Sequence, residues 1–143
     1  MSQDILLPTE IPDNLNVVDN IVIAIDTSGS ITNTEIGQAL TQIAQLLNKY
    51  KAHGEIMYWD TQVAAVAEFT DVKSALKLRP AGGGGTDPNC IFKYINSDKK
   101  YKSHSKLTKL DAILIFTDGY FGDIDQDWIR KFSRKTVWII SSP

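Results

Sequence analysis

The sequence predicts an α/β fold: a doubly wound, mostly parallel sheet with an antiparallel strand at one edge. Three observations carry that expectation. Two stretches, N-I-V-I-A-I-D at Asn20–Asp26 and L-D-A-I-L-I-F-T at residues 110–117, are near-continuous apolar runs rich in β-branched residues. That is the pattern of strands covered on both faces, as in parallel sheets. The first run is followed by a small polar turn and then a long amphipathic stretch, the opening half of a strand–helix–strand unit. The third observation is a pair of shorter strand-like segments, residues 55–60 and 63–69, separated by a two-residue turn.

In chain order, residues 1–19 form a polar lead-in with two prolines, Pro8 and Pro12. Its Ile5, Leu6 and Leu7 suit covering a sheet edge rather than forming a central strand. After the first strand, Thr27-Ser28-Gly29-Ser30 suits a tight turn. Thr32 and Glu35 have capping-box spacing, and Ile36, Leu40, Ile43, Leu47 and Tyr50 recur every three or four residues. This predicts a helix of roughly five turns, ending near Gly54. Residues 55–60 (E-I-M-Y-W-D) and 63–69 then predict a hairpin-paired edge. Residues 71–76 predict a short helix capped by Thr70 or Asp71. Pro80 and the Gly82–Gly85 run predict a turn. Asp87-Pro88 reads as an N-cap and first-turn proline for a helix carrying Ile91, Phe92 and Ile95. Residues 98–109 are polar and basic. The second apolar strand follows, then a short helix at 128–132 and a last strand at Thr136–Ile140.

Composition bounds the function. The 143 residues suffice for one domain of ordinary size. A hydrophobic fraction of 43%, a charged fraction of 22% and a net charge of -2 describe an ordinary globular protein, neither a basic nucleic-acid coat nor an acidic tail. The charge is uneven: residues 1–70 hold 9 acids and 2 bases, and residues 71–143 hold 8 acids and 13 bases. The bases cluster at 93–109 and 130–135, as solvated surfaces or as a patch for a partner or for nucleic acid. One cysteine excludes an internal disulfide framework. No apolar run approaches the length of a bilayer span, and residues 1–12 lack the pattern of a signal peptide. A soluble, cytoplasmic protein is expected, with virion association left as an open alternative.

Both buried-type strands run into an aspartate, Asp26 and Asp118. In doubly wound sheets ligands collect outside the carboxyl ends of strands, where the strand order reverses. The loop at 82–87 would bring Thr86 toward the same edge. Asp26, Ser28, Ser30, Thr86 and Asp118 thus make an all-oxygen set, suited to Mg²⁺ or Mn²⁺ rather than Zn²⁺. Simpler roles exist for each: Asp26 as a helix cap, the serines as turn residues, Asp118-Gly119 as a plain turn. Asp60 could flank the site or only turn the hairpin. Asp87 suits capping better than metal binding. Tyr120, Phe121 and Trp128 could rim the site or pack under the short helix. Trp59 and Trp138 read as core, and Cys90 as structural. The glycine run lacks the lysine and hydroxyl context of a phosphate-binding loop.

Asp26-Thr27-Ser28-Gly29-Ser30 resembles the D-x-S-x-S motif of von Willebrand factor A-like (VWA-like) domains, which opens their metal-ion-dependent adhesion site, or MIDAS. The family's separate threonine resembles Thr86 in Gly-Thr-Asp, and its later aspartate resembles Asp118 in Phe-Thr-Asp-Gly. All three parts occur in family order, and the resemblance spans residues 20–140. It is greatest to bacterial and phage VWA-like domains that form the carboxyl part of metallopeptidase-type proteins, and it extends to components of systems built with MoxR-type ATPases. The resemblance implies a compact, Rossmann-like metal-binding domain over residues 20–143. It also implies that Ser28, Ser30 and Thr86 offer hydroxyl oxygens to the metal, that Asp26 and Asp118 bind it directly or through water, and that a partner's carboxylate completes the shell. The usual domain is larger and ends in a further helix, so a smaller sheet or another cover for one face is expected. No H-E-x-x-H occurs, and His53 and His104 are isolated, so zinc peptidase activity is not expected.

Two function classes follow. The first is a non-enzymatic module that uses its metal to capture an acidic residue of a protein partner, with an ATPase-containing complex as the setting the resemblance implies and no membrane or nucleic-acid role. The second is a metal-dependent nuclease or phosphotransfer enzyme built on the strand-end aspartates, for which no general base or nucleophile is evident.

Overall fold

The computed structural model describes residues 20–27, 31–81, 85–97, 110–119 and 121–140. The expectations for residues 1–19 and 98–109, for Ser28 and Ser30 and for Tyr120 lie outside these. The elements are β1 (Asn20–Asp26), α1 (Asn33–Tyr50), β2 (His53–Trp59), β3 (Val63–Glu68), α2 (Val72–Lys77), α3 (Asn89–Ser97), β4 (Ala112–Thr117), α4 (Gln126–Phe132) and β5 (Thr136–Ile140). Five strands form one sheet in the order β3-β2-β1-β4-β5. All neighbours are parallel except the β2–β3 hairpin, which is antiparallel and places β3 at an edge.

Every residue of β1 and β4 is buried, because helices cover both faces of the sheet. Alternation along the strands divides the core in two. Ile21, Ile23 and Ile25 of β1 and Leu114 and Phe116 of β4 pack with Ile36, Leu40, Ile43 and Leu47 of α1. Val22, Ala24, Ile113 and Ile115 pack on the other face with Ile91, Phe92 and Ile95 of α3 and Phe132 of α4. Each such aliphatic side chain contributes about 1.5–3 kcal/mol through burial. Trp59 is fully buried. Trp138 is half-buried on the edge strand β5 and stacks with Phe121 at a 5.3 Å centroid separation. Phe121 and Trp128 both belong to this aromatic packing, Trp128 lying 6.1 Å from Phe132. Among the described residues no helix is long and apolar enough to cross a membrane.

Local chemistry sets the element ends. The capping box is present: the Thr32 hydroxyl accepts from Glu35 N–H, and the Glu35 carboxylate accepts from Thr32 N–H. The Asp71 carboxylate caps α2 by accepting from Ser74 N–H at 2.8 Å. That bond, and a second from the Ser74 hydroxyl, hold the Asp71 carboxyl below its usual range. The expected stop of α1 near Gly54 is corrected. Lys51, in the left-handed conformation, ends the helix, and Ala52 N–H returns to the Leu47 carbonyl. Gly54 instead lies in β2, where a Cβ would come within 2.8 Å of Leu47 Cδ1. The expected strand at 55–60 loses Asp60, whose carboxylate accepts from Thr61 N–H and Gln62 N–H and turns the chain.

Candidate functional site

Because β1 connects to β2 on one side and pairs with β4 on the other, the strand order reverses between β1 and β4. Asp26 ends β1 and Asp118 follows β4 at that reversal. Asp26 is completely buried. A carboxylate is held there only with polar partners. One is Thr117, itself fully buried, whose hydroxyl donates to Asp26 Oδ2 at 3.0 Å. The same hydroxyl accepts from Gly119 N–H at 3.2 Å. Gly119 has φ 87°, a backbone that glycine adopts without strain. Thr117 therefore ties the turn bearing Asp118 to the carboxylate of Asp26. Asp118 itself is half-buried at the edge.

The third segment arrives from the glycine-rich loop. Its described part begins at Gly85, with φ 92°. Asp87 N–H donates to the Asp60 carbonyl at 2.8 Å, which fastens the Thr86-bearing segment beside the end of β2. Thr86 is half-buried. The Asp87 carboxylate accepts from Asn89 N–H at 3.1 Å and from Asn89 Nδ2 at 2.9 Å, so it organises the start of α3 as the sequence suggested. Asn89 also binds across to the 123–125 segment, donating to the Asp123 carbonyl and accepting from Asp125 N–H.

Of the five expected metal-binding residues, the structure brings Asp26, Thr86 and Asp118 to the carboxyl edge of the sheet; Ser28 and Ser30 lie outside the described residues. Thr117 was not among the expected residues. Its signal was present as the polar residue that ends the apolar run 110–117, directly before Asp118. Among the described residues no cluster of three or more His, Cys, Asp or Glu side chains forms a metal-binding group. The candidate set contains only two carboxylates and otherwise relies on hydroxyls.

The field at this edge is negative. Cys90, at the start of α3, has its thiol pushed up to about 12, first by burial and then by the carboxylates of Asp87, Asp60 and Asp26. Its Sγ lies 4.0 Å from the Asp60 carbonyl oxygen. At neutral pH this thiol is protonated, in keeping with a structural role. Two further buried polar atoms, Thr27 Oγ1 and Trp59 Nε1, have no hydrogen-bond partner among the described residues. The Thr27 N–H does have one, donating to the Trp59 carbonyl at 2.9 Å and extending the β1–β2 ladder by one bond. Oxygen donors of this kind, in a negative field, fit a hard divalent cation and not a soft one.

The family model described as VWA-like domain (DUF2201) matches residues 21–120. That range contains Asp26, Thr86 and Asp118. No curated protein matches the chain. Among solved structures, the chain is similar to an aerotolerance-related membrane protein from Bacteroides fragilis, crystallised with multiple mutations to serines. The similarity has a TM-score of 0.54 at 14% identity and covers 84% of this chain and 65% of that one. The chain thus spans just under two thirds of that protein, and the likeness is one of fold.

Proposed function

We propose a protein-capture function from the premise that the chain belongs to the VWA-like domain (DUF2201) family. Domains of this kind are in general protein-interaction or metal-binding modules. The finer reading is that this chain binds a protein partner through Mg²⁺ or Mn²⁺ and does not catalyse a reaction. The observation that carries it is the buried Asp26 carboxylate, hydrogen-bonded to Thr117 beside Asp118 at the reversal of strand order.

In this reading Asp26, Asp118, Thr86, Ser28 and Ser30 hold the ion. A bound divalent cation supplies a Lewis-acidic position for an incoming carboxylate. The chain's own residues do the rest. Thr117 orients Asp26, and the Asp60–Asp87 backbone bond holds the Thr86 segment in place. Hydroxyl donors keep the net negative charge of the site low, which leaves room for a partner's Glu or Asp. Contacts around the rim supply specificity, because one carboxylate identifies no partner.

Calorimetric titration with Mg²⁺ tests the reading. One site is expected in the wild type and none in Asp26→Ala, with the fold verified by circular dichroism. Equal affinity in the two proteins would remove the site. Metal-dependent cleavage of nucleic acid by the purified wild type, absent in Asp118→Ala, would assign phosphodiester hydrolysis instead.

A further inference from the structure

Next to the carboxyl edge of the sheet, a groove of about 570 Å³ runs between the β2–β3 hairpin and α3. Thr61, Gln62 and Val63 form one wall, and α3 presents Cys90, Lys93 and Ser97 on the other. Positions three and four apart share a helix face, so these α3 residues line one continuous stripe. From Cys90 to Ser97 the stripe extends for about 10 Å at the helical rise. That length matches roughly three residues of extended chain.

The hairpin wall of the groove adjoins the segment that carries Thr86. Asp87 N–H is bonded to the Asp60 carbonyl, and a Cβ on Gly85 would lie 3.3 Å from Thr61 Cγ2. The segment that carries Thr86 is therefore in contact with the hairpin wall. Charge changes sign along the groove. Asp60 and Asp87 stand at the site end. Six residues beyond Asp87 is Lys93, exposed and without an ion-pair partner among the described residues, while the other lining side chains are neutral.

We propose that this groove seats an extended acidic segment of the protein partner, with a second carboxylate of that segment pairing with Lys93. This rests on the metal-bridged reading of the site, and it identifies the partner motif as two acidic residues a short distance apart. The first carboxylate meets the cation. The chain then follows the neutral hydroxyl and amide groups of the hairpin and α3, which supply hydrogen bonds to an extended backbone. A nucleic-acid strand fits less well, because its successive phosphates would pass Asp60 and Asp87 with one lysine to compensate.

The test uses the full chain, isotope-labelled, and two capped Gly/Ser/Thr peptides. One peptide carries a single aspartate, and the other carries two aspartates separated by two residues. In Mg²⁺ the doubly acidic peptide is expected to bind at least about tenfold tighter, equivalent to about 1.4 kcal/mol. Chemical-shift changes are expected at residues 61–63 and 90–97. Lys93→Glu should abolish the preference while leaving Mg²⁺ affinity unchanged, and Lys73→Glu, exposed on α2, should preserve it. Retention of the preference in Lys93→Glu, or shift changes confined to other regions, would overturn the groove and leave the metal site standing. Lys93-dependent binding that persists in EDTA would support the groove and remove the metal reading. Tighter binding of an oligothymidylate than of either peptide at the same residues would overturn a peptide occupant.

Discussion

Asp26 and Asp118 occupy equivalent places in the sequence, each at the end of an apolar strand, yet the fold treats them differently. Asp26 has no exposed surface and is gripped by a buried threonine hydroxyl, whereas Asp118 is half-open to solvent one residue beyond that same threonine. The first is a carboxyl group fixed by a hydrogen bond in a low-dielectric setting, where electrostatic interactions are strong. The second is partly open to solvent at the same sheet edge. In the proposed metal site this difference would divide the work, with Asp26 holding position and Asp118 facing the exchangeable side of the cation.

The largest expected effect separates these two residues directly. At a Mg²⁺ concentration 100-fold above its dissociation constant, the wild type should gain about 2.7 kcal/mol of stability. Asp26→Ala should gain nothing, and Asp118→Ala should keep part of the gain. Thermal denaturation with and without EDTA measures both, and an equal loss in the two variants would erase the distinction.

Thr117→Val probes the link between them. It removes the hydroxyl that donates to Asp26 and accepts from Gly119 N–H. A cost of about 1–3 kcal/mol is expected in urea denaturation, since buried polar groups lose a partner. Mg²⁺ affinity should fall in parallel. A variant as stable as the wild type, with unchanged affinity, would show that Asp26 is positioned by other contacts.

Removing the capping hydroxyl far from the site gives a baseline. Thr32→Ala should cost about 1 kcal/mol through loss of the Thr32–Glu35 box, with no change in Mg²⁺ affinity.

Alkaline pH gives a smaller, graded effect. Tyr58, whose hydroxyl donates to the Ala75 carbonyl at 2.7 Å, is raised from 10.0 to about 12, chiefly by burial and against the pull of Arg79. Cys90 is raised from 9.0 to about 12. In both cases the fold favours the neutral form. Their contribution is fully present below the unfolded values and is lost as pH rises from about 9 toward 12. Denaturation midpoints should therefore decline across that window, and Cys90→Ala should make the decline shallower.

The smallest effect returns to the two carboxylates. Asp26 helps to raise Cys90, behind burial, Asp87 and Asp60. Asp26→Asn should lower the thiol's apparent pKa slightly, measured by the pH dependence of its alkylation, and Asp118→Asn should leave it unchanged. A larger response to Asp118→Asn would place the wrong carboxylate near α3.

Much of this protein is written locally in its residues. β1 and β5 have the boundaries expected from the apolar runs Asn20–Asp26 and Thr136–Ile140, and Thr32 with Glu35 specifies the start of α1. These features depend on side-chain period, branching and hydrogen bonds within a few residues, all of which the sequence states directly. The Asp26, Thr86 and Asp118 candidates were legible for the same reason, as polar residues at strand ends and after a glycine run. Tertiary structure decided the rest. Only the strand order β3-β2-β1-β4-β5 brings the β1 end at Asp26 beside the β4 end before Asp118, which are distant in sequence, and burial distinguishes the two residues. The Thr117 hydroxyl became a link because parallel pairing brings the ends of β1 and β4 together. The groove beside Lys93 lies between a hairpin and a helix whose leading segment is bonded to that hairpin through Asp60 and Asp87. Such contacts arise between segments far apart in the chain, where no local period or motif specifies the partner and chain closure around a shared core determines what meets.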